Sequence, residues 1–124
     1  SGGILLTRRG IEPAKGAWGM AGGFLNFGEE ATDAIKREVL EELSVEVHVE
    51  SVIGVFNEFY ENIGDKNQRL SLTVVVFKVS LISSRTLAPA DDVAEIGWFT
   101  DLPSPFAFPK QKQFLERYRV GSNI

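Results

Sequence analysis

The stretch GGFLNFGEEATDAIKREVLEEL, residues 22–43, holds two glycines, a turn and then six carboxylate side chains between Glu29 and Leu43. Like charges at helical spacing repel one another, so this crowding costs stability unless something offsets it. A cation does so most directly. The stretch reads as a helix over 31–43. Asp33 in the first turn suits the helix macrodipole, and Ile35, Val39 and Leu43 recur every four residues as one apolar stripe. Glu38, Glu41 and Glu42 stand at i, i+3 and i+4, within about 100° of one another on the adjoining face. Ala34 shares that face and is small enough not to block it. Hard oxygen ligands clustered in this way suit Mg²⁺ or Mn²⁺, which keep several waters and are completed by substrate phosphates. The glycines just upstream let the backbone approach, so a carbonyl of Gly22 or Gly23 can join the site. A run such as EVLEEL taken alone is more often a solvated helix face, and its context has to decide.

Working outward, residues 29–50 carry eight acids against Lys36 and Arg37, a local charge of −6 in a chain of net −4, which leaves +2 for everything else. No basic stripe for nucleic acid is visible. Residues 3–8 read as a buried strand ending in Arg8 and Arg9. Residues 10–23 form a Gly- and Pro-rich loop with a short strand near Trp18. Residues 45–60 read as one long or bent strand, or two. Residues 70–82, LSLTVVVFKVSLI, are long, β-branched and apolar on both faces, the pattern of a central strand. NIGDKNQR ahead of it reads as a loop or hairpin connection, 83–93 as a loop, and 94–100 as a strand. Pro109 suits the first turn of a second helix over about 110–119, with Phe114, Leu115 and Tyr118 on its inner side. The expected architecture is α/β, a mixed β-sheet flanked by helices on both faces.

The 124 residues suit one domain, 1–124, and SGG running straight into a strand suggests that an N-terminal strand or extension precedes it. The chain has no cysteine, which excludes disulfides and thiolate zinc sites and fits a cytoplasmic protein. No apolar run approaches the roughly 18 residues a membrane span needs, and the start shows no signal-peptide pattern.

The segment 23–45 resembles the Nudix (MutT-like) box, G-x5-E-x7-R-E-U-x-E-E-x-G-U, where U is bulky and aliphatic. Gly23 is followed by five residues and Glu29, then by seven and Arg37-Glu38-Val39-Leu40-Glu41-Glu42-Leu43-Ser44-Val45. The last glycine of the pattern is Ser44 here, and Ala21 stands where a proline is usual before the glycines. The lead-in LLTRRGIEPAKGAWGMAGGF and the late EIGWF are similar to the family's flanks. The resemblance implies a Nudix-type α/β/α sandwich and a pyrophosphohydrolase acting on a nucleoside diphosphate linked to another moiety, with Mg²⁺ (or Mn²⁺) as cofactor. Carried over by position, Glu38, Glu41, Glu42 and the Gly23 carbonyl would hold the metal, and Arg37 would pair with Glu29 to hold the loop against the helix. Metal ions would neutralise phosphate charge and position a water for in-line attack, releasing a nucleoside monophosphate.

For the general base, Asp92 and Glu95 lie in a loop where family members often place an extra acid. Glu58 and Glu61 read as exposed strand-end charges. Arg8, Arg9 and Lys15 could meet substrate phosphate. Phe56, Tyr60, Trp98, Phe106 and Phe108 are candidates for a base-stacking residue, although most read as core. His48 alternates with valines and faces solvent. The lead-in is similar to the ADP-ribose and NADH pyrophosphatase branch, so ADP-ribose-like substrates are favoured. The zinc ribbon and SQPWPFP array of the NADH branch are absent from this sequence. Alternatives are a house-cleaning nucleoside triphosphate or dinucleoside polyphosphate hydrolase, and a non-catalytic nucleotide-sensing module. The expected partner is a small nucleotide rather than nucleic acid or membrane. Many family members dimerise, so a homodimer completing the pocket is a further expectation.

Overall fold

The computed structural model describes residues 3–63, 68–82 and 86–122. The start of the chain, the centre of NIGDKNQR (64–67) and the beginning of the 83–93 loop lie outside the described residues. The elements run β1 (Ile4–Arg9), β2 (Trp18–Gly19), α1 (Ala31–Leu43), β3 (Val47–Ile63), β4 (Gln68–Leu81), β5 (Val93–Phe99) and α2 (Pro109–Ser122). Two ladders form. One is three-stranded in the order β2-β1-β5, and the other is the β3–β4 ribbon. Both are antiparallel. Among the described residues, the parallel component expected of a mixed sheet is reduced to one isolated bridge, Trp18 with Phe106.

Helix α1 joins the ladders on one side. Its Val39 and Leu43 cluster with Val45 and Val47, and Leu5 of β1, Ile96 of β5 and Val79 of β4 pack around them. The helix covers the expected residues because its apolar stripe has both sheets to bury against. Ser44 ends it in the left-handed conformation, φ 66°, with its N–H donating to the Leu40 carbonyl. A non-glycine residue there costs on the order of 1 kcal/mol. The Ser44 hydroxyl offsets part of this by donating to the Ala88 carbonyl at 3.1 Å.

Strand β3 is one long strand. Bulges between Val49 and Ser51 and between Val52 and Gly54 each add a residue, and together they restore the alternation. Val45 and Val47 face α1, whereas Gly54 and Phe56 face α2: the Phe114 ring lies against Gly54 and stacks on Phe56 at 5.5 Å. The two helices therefore lie on opposite faces, giving the α/β/α layering. The fit of α2 matches the expectation for Phe114, Leu115 and Tyr118, with Leu115 buried.

Strand β4 departs from expectation. Among the described residues it pairs only with β3, and Val75 and Leu81 are exposed while Val76 is buried. A β-branched run makes the strand, but which faces are covered depends on distant elements. Among the described residues no helix is long and apolar enough to cross a membrane.

Candidate active site

Arg37 sits at the centre of the acidic helix face. Its Nε and Nη2 donate to the two carboxylate oxygens of Glu29 at 2.8 and 3.0 Å, and Nη2 also donates to the Phe24 carbonyl at 3.0 Å. Glu29 in turn accepts from the Asn26 N–H at 2.9 Å. A paired guanidinium fork of this kind fixes direction as well as distance, and it fastens the 24–29 loop onto α1. The Arg37 hydrogen bond, followed by that from Asn26, pulls the Glu29 carboxyl down to about 2. Glu29 in turn holds Arg37 still more firmly protonated. The third nitrogen, Nη1, donates to Glu38 at 2.9 Å and to Glu41 at 3.3 Å.

Glu42 is held differently. It lies one turn beyond Glu38, partly buried, and accepts the Gly22 N–H at 2.9 Å. Burial pushes its carboxyl up to about 7; the Gly22 bond opposes this, and the charges of Glu38, Asp91 and Glu41 add to it. A carboxyl raised by desolvation and by like charges at once is a mark of functional sites. Gly23 completes the corner. A Cβ there would stand 2.5 Å from Glu38 Oε1, so the missing side chain is what lets Glu38 close against the loop.

The loop before β5 docks onto the end of α1. The Ala88 and Ala90 N–H groups donate to the carbonyls of Leu43 and Glu42, taking up carbonyls that the helix terminus leaves open. Asp91, at φ 54°, is thereby placed where its charge acts on Glu42. Sequence reasoning passed over Asp91 in favour of its neighbour. Asp92 is exposed, and its carbonyl accepts the Gly10 N–H at 2.8 Å. Only the docking bonds distinguish these adjacent acids. Glu95 pairs instead with Arg8 at 2.8 Å, an exposed ion pair. Arg9 turns away from the acidic face: its Nε donates to the Pro13 carbonyl and its guanidinium lies over the Phe108 ring at 5.3 Å. His48 and Trp98 are exposed. Glu58 is not an exposed strand end. It is 5 % exposed, because α2 covers the β3 face on which it lies.

Glu38, Glu41 and Glu42 share one face of α1, but here they turn to Arg37 and to the Gly22 N–H. Among the described residues no three acids are gathered closely enough to hold a metal ion. The donor set nevertheless fits a divalent cation. It offers hard oxygens from three carboxylates beside a glycine backbone; a bound cation's charge would oppose both the burial and the neighbouring negative charges that raise Glu42.

The family model described as NUDIX domain matches residues 1–118, and the chain belongs to that family. The low-salt glycan biosynthesis protein Agl8 of Haloferax volcanii is 47 % identical over 60 residues, covering 48 % of this chain and 38 % of that protein. The ADP-ribose pyrophosphatase of Methanocaldococcus jannaschii is 32 % identical over 111 residues, covering 88 % of this chain and 62 % of that protein. The chain therefore spans less than two thirds of the length of either relative. Among solved structures, a MutT Nudix hydrolase from Burkholderia pseudomallei superposes with a TM-score of 0.71 at 26 % identity, covering 94 % of this chain and 88 % of that one.

Proposed function

We propose that this chain is a divalent-cation-dependent pyrophosphohydrolase that cleaves a nucleoside diphosphate linked to another moiety, ADP-ribose or a close relative being favoured. The observation that carries the reading is the concentration of Glu38, Glu41 and Glu42 against the Gly22–Gly23 backbone, with Glu42 pushed up to about 7. The ADP-ribose preference rests on the Methanocaldococcus relative and on the lead-in to the box.

In this reading Glu38, Glu41, Glu42 and the Gly23 carbonyl hold Mg²⁺ or Mn²⁺. When bound, the cation neutralises phosphate charge and lowers the pKa of an attacking water. The protein does the rest. Arg37 and Glu29 fix the loop so that the Gly23 carbonyl keeps its place beside Glu38, a positioning role. A carboxylate beside the scissile bond accepts the water's proton as its oxygen bonds to phosphorus, and the bridging P–O bond breaks in line. Asp92, proposed from sequence, and Asp91, which faces Glu42, are the loop acids within the same docked segment. For ADP-ribose the products are AMP and ribose 5-phosphate. The absence of a side chain at Gly23, where a Cβ would meet the Glu38 carboxylate, keeps the approach to that acid open.

The test is incubation with Mg²⁺ and a panel of ADP-ribose, NADH, diadenosine polyphosphates and nucleoside triphosphates, with products resolved by chromatography. A Glu41→Gln, Glu42→Gln double variant runs in parallel. AMP from ADP-ribose, lost in the variant, is the expected result. Cleavage of another panel member would keep the chemistry and replace the substrate. Nucleotide binding without turnover of any member would make the chain a sensing module.

A further inference from the structure

Ser44 stands where the family box has glycine, at a position that favours glycine. Its φ of 66° lies in the left-handed region, which glycine enters freely and other residues do not. Asp91, at φ 54°, is held in the same way. Among the described residues only one other non-glycine residue, Ala14, has a positive φ. Ser44 and Asp91 flank a single joint, between the end of α1 and the loop before β5. Strain of this kind persists only where the surroundings over-determine it, and it gathers at functional sites.

The joint is held at successive points. Leu87 packs against the cluster of Val39, Leu43, Val45 and Val47. The Ala88 N–H donates to the Leu43 carbonyl at 3.1 Å, and the Ala88 carbonyl accepts the Ser44 hydroxyl at 3.1 Å. Ala88 is therefore gripped at both of its backbone polar groups. Pro89 follows, its φ fixed by the ring. The Ala90 N–H then donates to the Glu42 carbonyl at 3.0 Å, and the Ala90 carbonyl accepts the Val93 N–H at 3.1 Å. On the far side of Asp91, the Asp92 carbonyl accepts the Gly10 N–H. Both neighbours of Asp91 are thus tied down, and Asp91 stands at the corner between them.

Charge opposes this placement. Asp91 and Glu42 act on each other as two negative groups. The last turn of α1 carries no base, and the C-terminal end of a helix is itself negative. Hydrogen bonds and the burial of Leu87 hold the loop against that repulsion. Of the bonds named, the one from Ser44 is made by a side chain, so it can be removed without touching the backbone. Glycine at 44 would relax the backbone but could not make the bond.

We propose that Ser44 is a positioning residue: by fixing the Ala88 carbonyl, its hydroxyl keeps Asp91 facing Glu42, so that a carboxylate from the loop closes the cation site on α1. This rests on the reading of Glu38, Glu41 and Glu42 as the acids that hold the cation. The test is calorimetric binding of Mn²⁺ to the unaltered protein, Ser44→Ala and Ser44→Gly, with thermal unfolding and amide hydrogen exchange at Ala88 and Ala90 measured beside it. Both substitutions remove the hydroxyl, but alanine keeps the strained backbone and glycine relaxes it. Of the two, the glycine variant should unfold at the higher temperature. Both should speed exchange at Ala88 and Ala90 by about three- to tenfold, the equivalent of one neutral hydrogen bond. Both should weaken Mn²⁺ binding by about tenfold, as loss of an outer partner of a metal site does. Asp91→Asn should weaken binding by itself, and Ser44→Gly added to it should weaken binding no further. Unchanged affinity or unchanged exchange in the Ser44 variants overturns the proposal. So do affinities that follow the unfolding temperature instead of the hydroxyl, or losses at Ser44 and Asp91 that simply add. If the alanine variant does not fold, the glycine variant and its combination with Asp91→Asn decide the matter. An unaltered protein that binds no Mn²⁺ would sink the cation reading and this proposal with it, whereas binding that ignores Ser44 would sink this proposal alone.

Discussion

Gly54→Ala tests how α2 is seated. The position has ordinary negative φ, so alanine is not strained by the backbone and would by itself favour the strand by about 0.5–1 kcal/mol. The obstacle is Phe114. A Cβ at Gly54 would overlap two carbons of its ring, Cζ at 2.6 Å among them. The ring cannot simply swing aside, because it is stacked between Phe56 at 5.5 Å and Tyr118 at 6.4 Å. Overlap with two ring carbons places the cost in the upper part of the overpacking range, about 2–3 kcal/mol, leaving a net destabilisation of about 1–2.5 kcal/mol once the backbone gain is subtracted. For a domain of this size that is a fall in Tm of roughly 4–8 °C. Thermal unfolding followed by circular dichroism measures it, and a double-mutant cycle with Phe114→Leu isolates the cause. In the Phe114→Leu background the alanine should cost nothing. A Tm unchanged by Gly54→Ala, or a cycle in which the two changes simply add, would refute the seating of α2 on β3 through this contact.

Two further outcomes are expected. Glu42, raised to about 7 from 4.5, binds its proton more tightly folded than unfolded. Below pH 4.5 both states are protonated and nothing is lost, whereas stability falls as pH rises toward 7 and then levels. The ceiling is about 3 kcal/mol, which water at this partly exposed group reduces to about 1–2 kcal/mol. In chelator, the stability of Glu42→Gln relative to the unaltered protein should therefore rise between pH 5 and 7 by about that amount; a flat difference across denaturant titrations would contradict it. Arg37→Met should release the 24–29 loop to proteolysis and lower Mg²⁺ affinity or turnover by roughly 10- to 100-fold, as loss of an orienting partner does. It should also return the Glu29 carboxyl, observed by NMR titration, from about 2 toward its ordinary value; an unmoved Glu29 would show that Arg37 is not what holds it.

What the sequence made legible was local. Helix α1, its apolar stripe and its acidic face all lie within one short segment, where spacing alone fixes geometry; the Arg37–Glu29 pair was legible only through the family resemblance. The helix after Pro109 was readable for the same reason, whereas 45–60 read equally as one strand or two, and the pairing with β4 decides for one. Covering was not readable. Glu58 looks like a strand-end charge until α2, some fifty residues later, closes over it. The run LSLTVVVFKVSLI looks central until it proves to be paired on one side only among the described residues. Asp91 and Asp92 are equivalent by composition, and only the bonds from Ala88 and Ala90 to the end of α1 decide which one approaches Glu42. Arg8 and Arg9 end the same strand, but alternation sends one to Glu95 and the other to Phe108.

The repulsion within α1 is answered by two separate arrangements, and they differ in what they leave free. Arg37 spends Nε and Nη2 on Glu29 and the Phe24 carbonyl, bonds that define the loop and whose loss would let it move. Nη1 alone reaches Glu38 and Glu41. A planar guanidinium can keep the first set while giving up the second, because its donors point in fixed and different directions. The charge compensation of Glu38 and Glu41 is therefore exchangeable without dismantling the loop, whereas that of Glu29 is not. Lysine could not do both, since a single ammonium would have to leave Glu29 in order to leave Glu38. The arginine at this position is thus required by geometry as well as charge. It holds the loop permanently and the acids provisionally, which is the condition for three carboxylates to be packed on one helix face and still be open to a divalent cation.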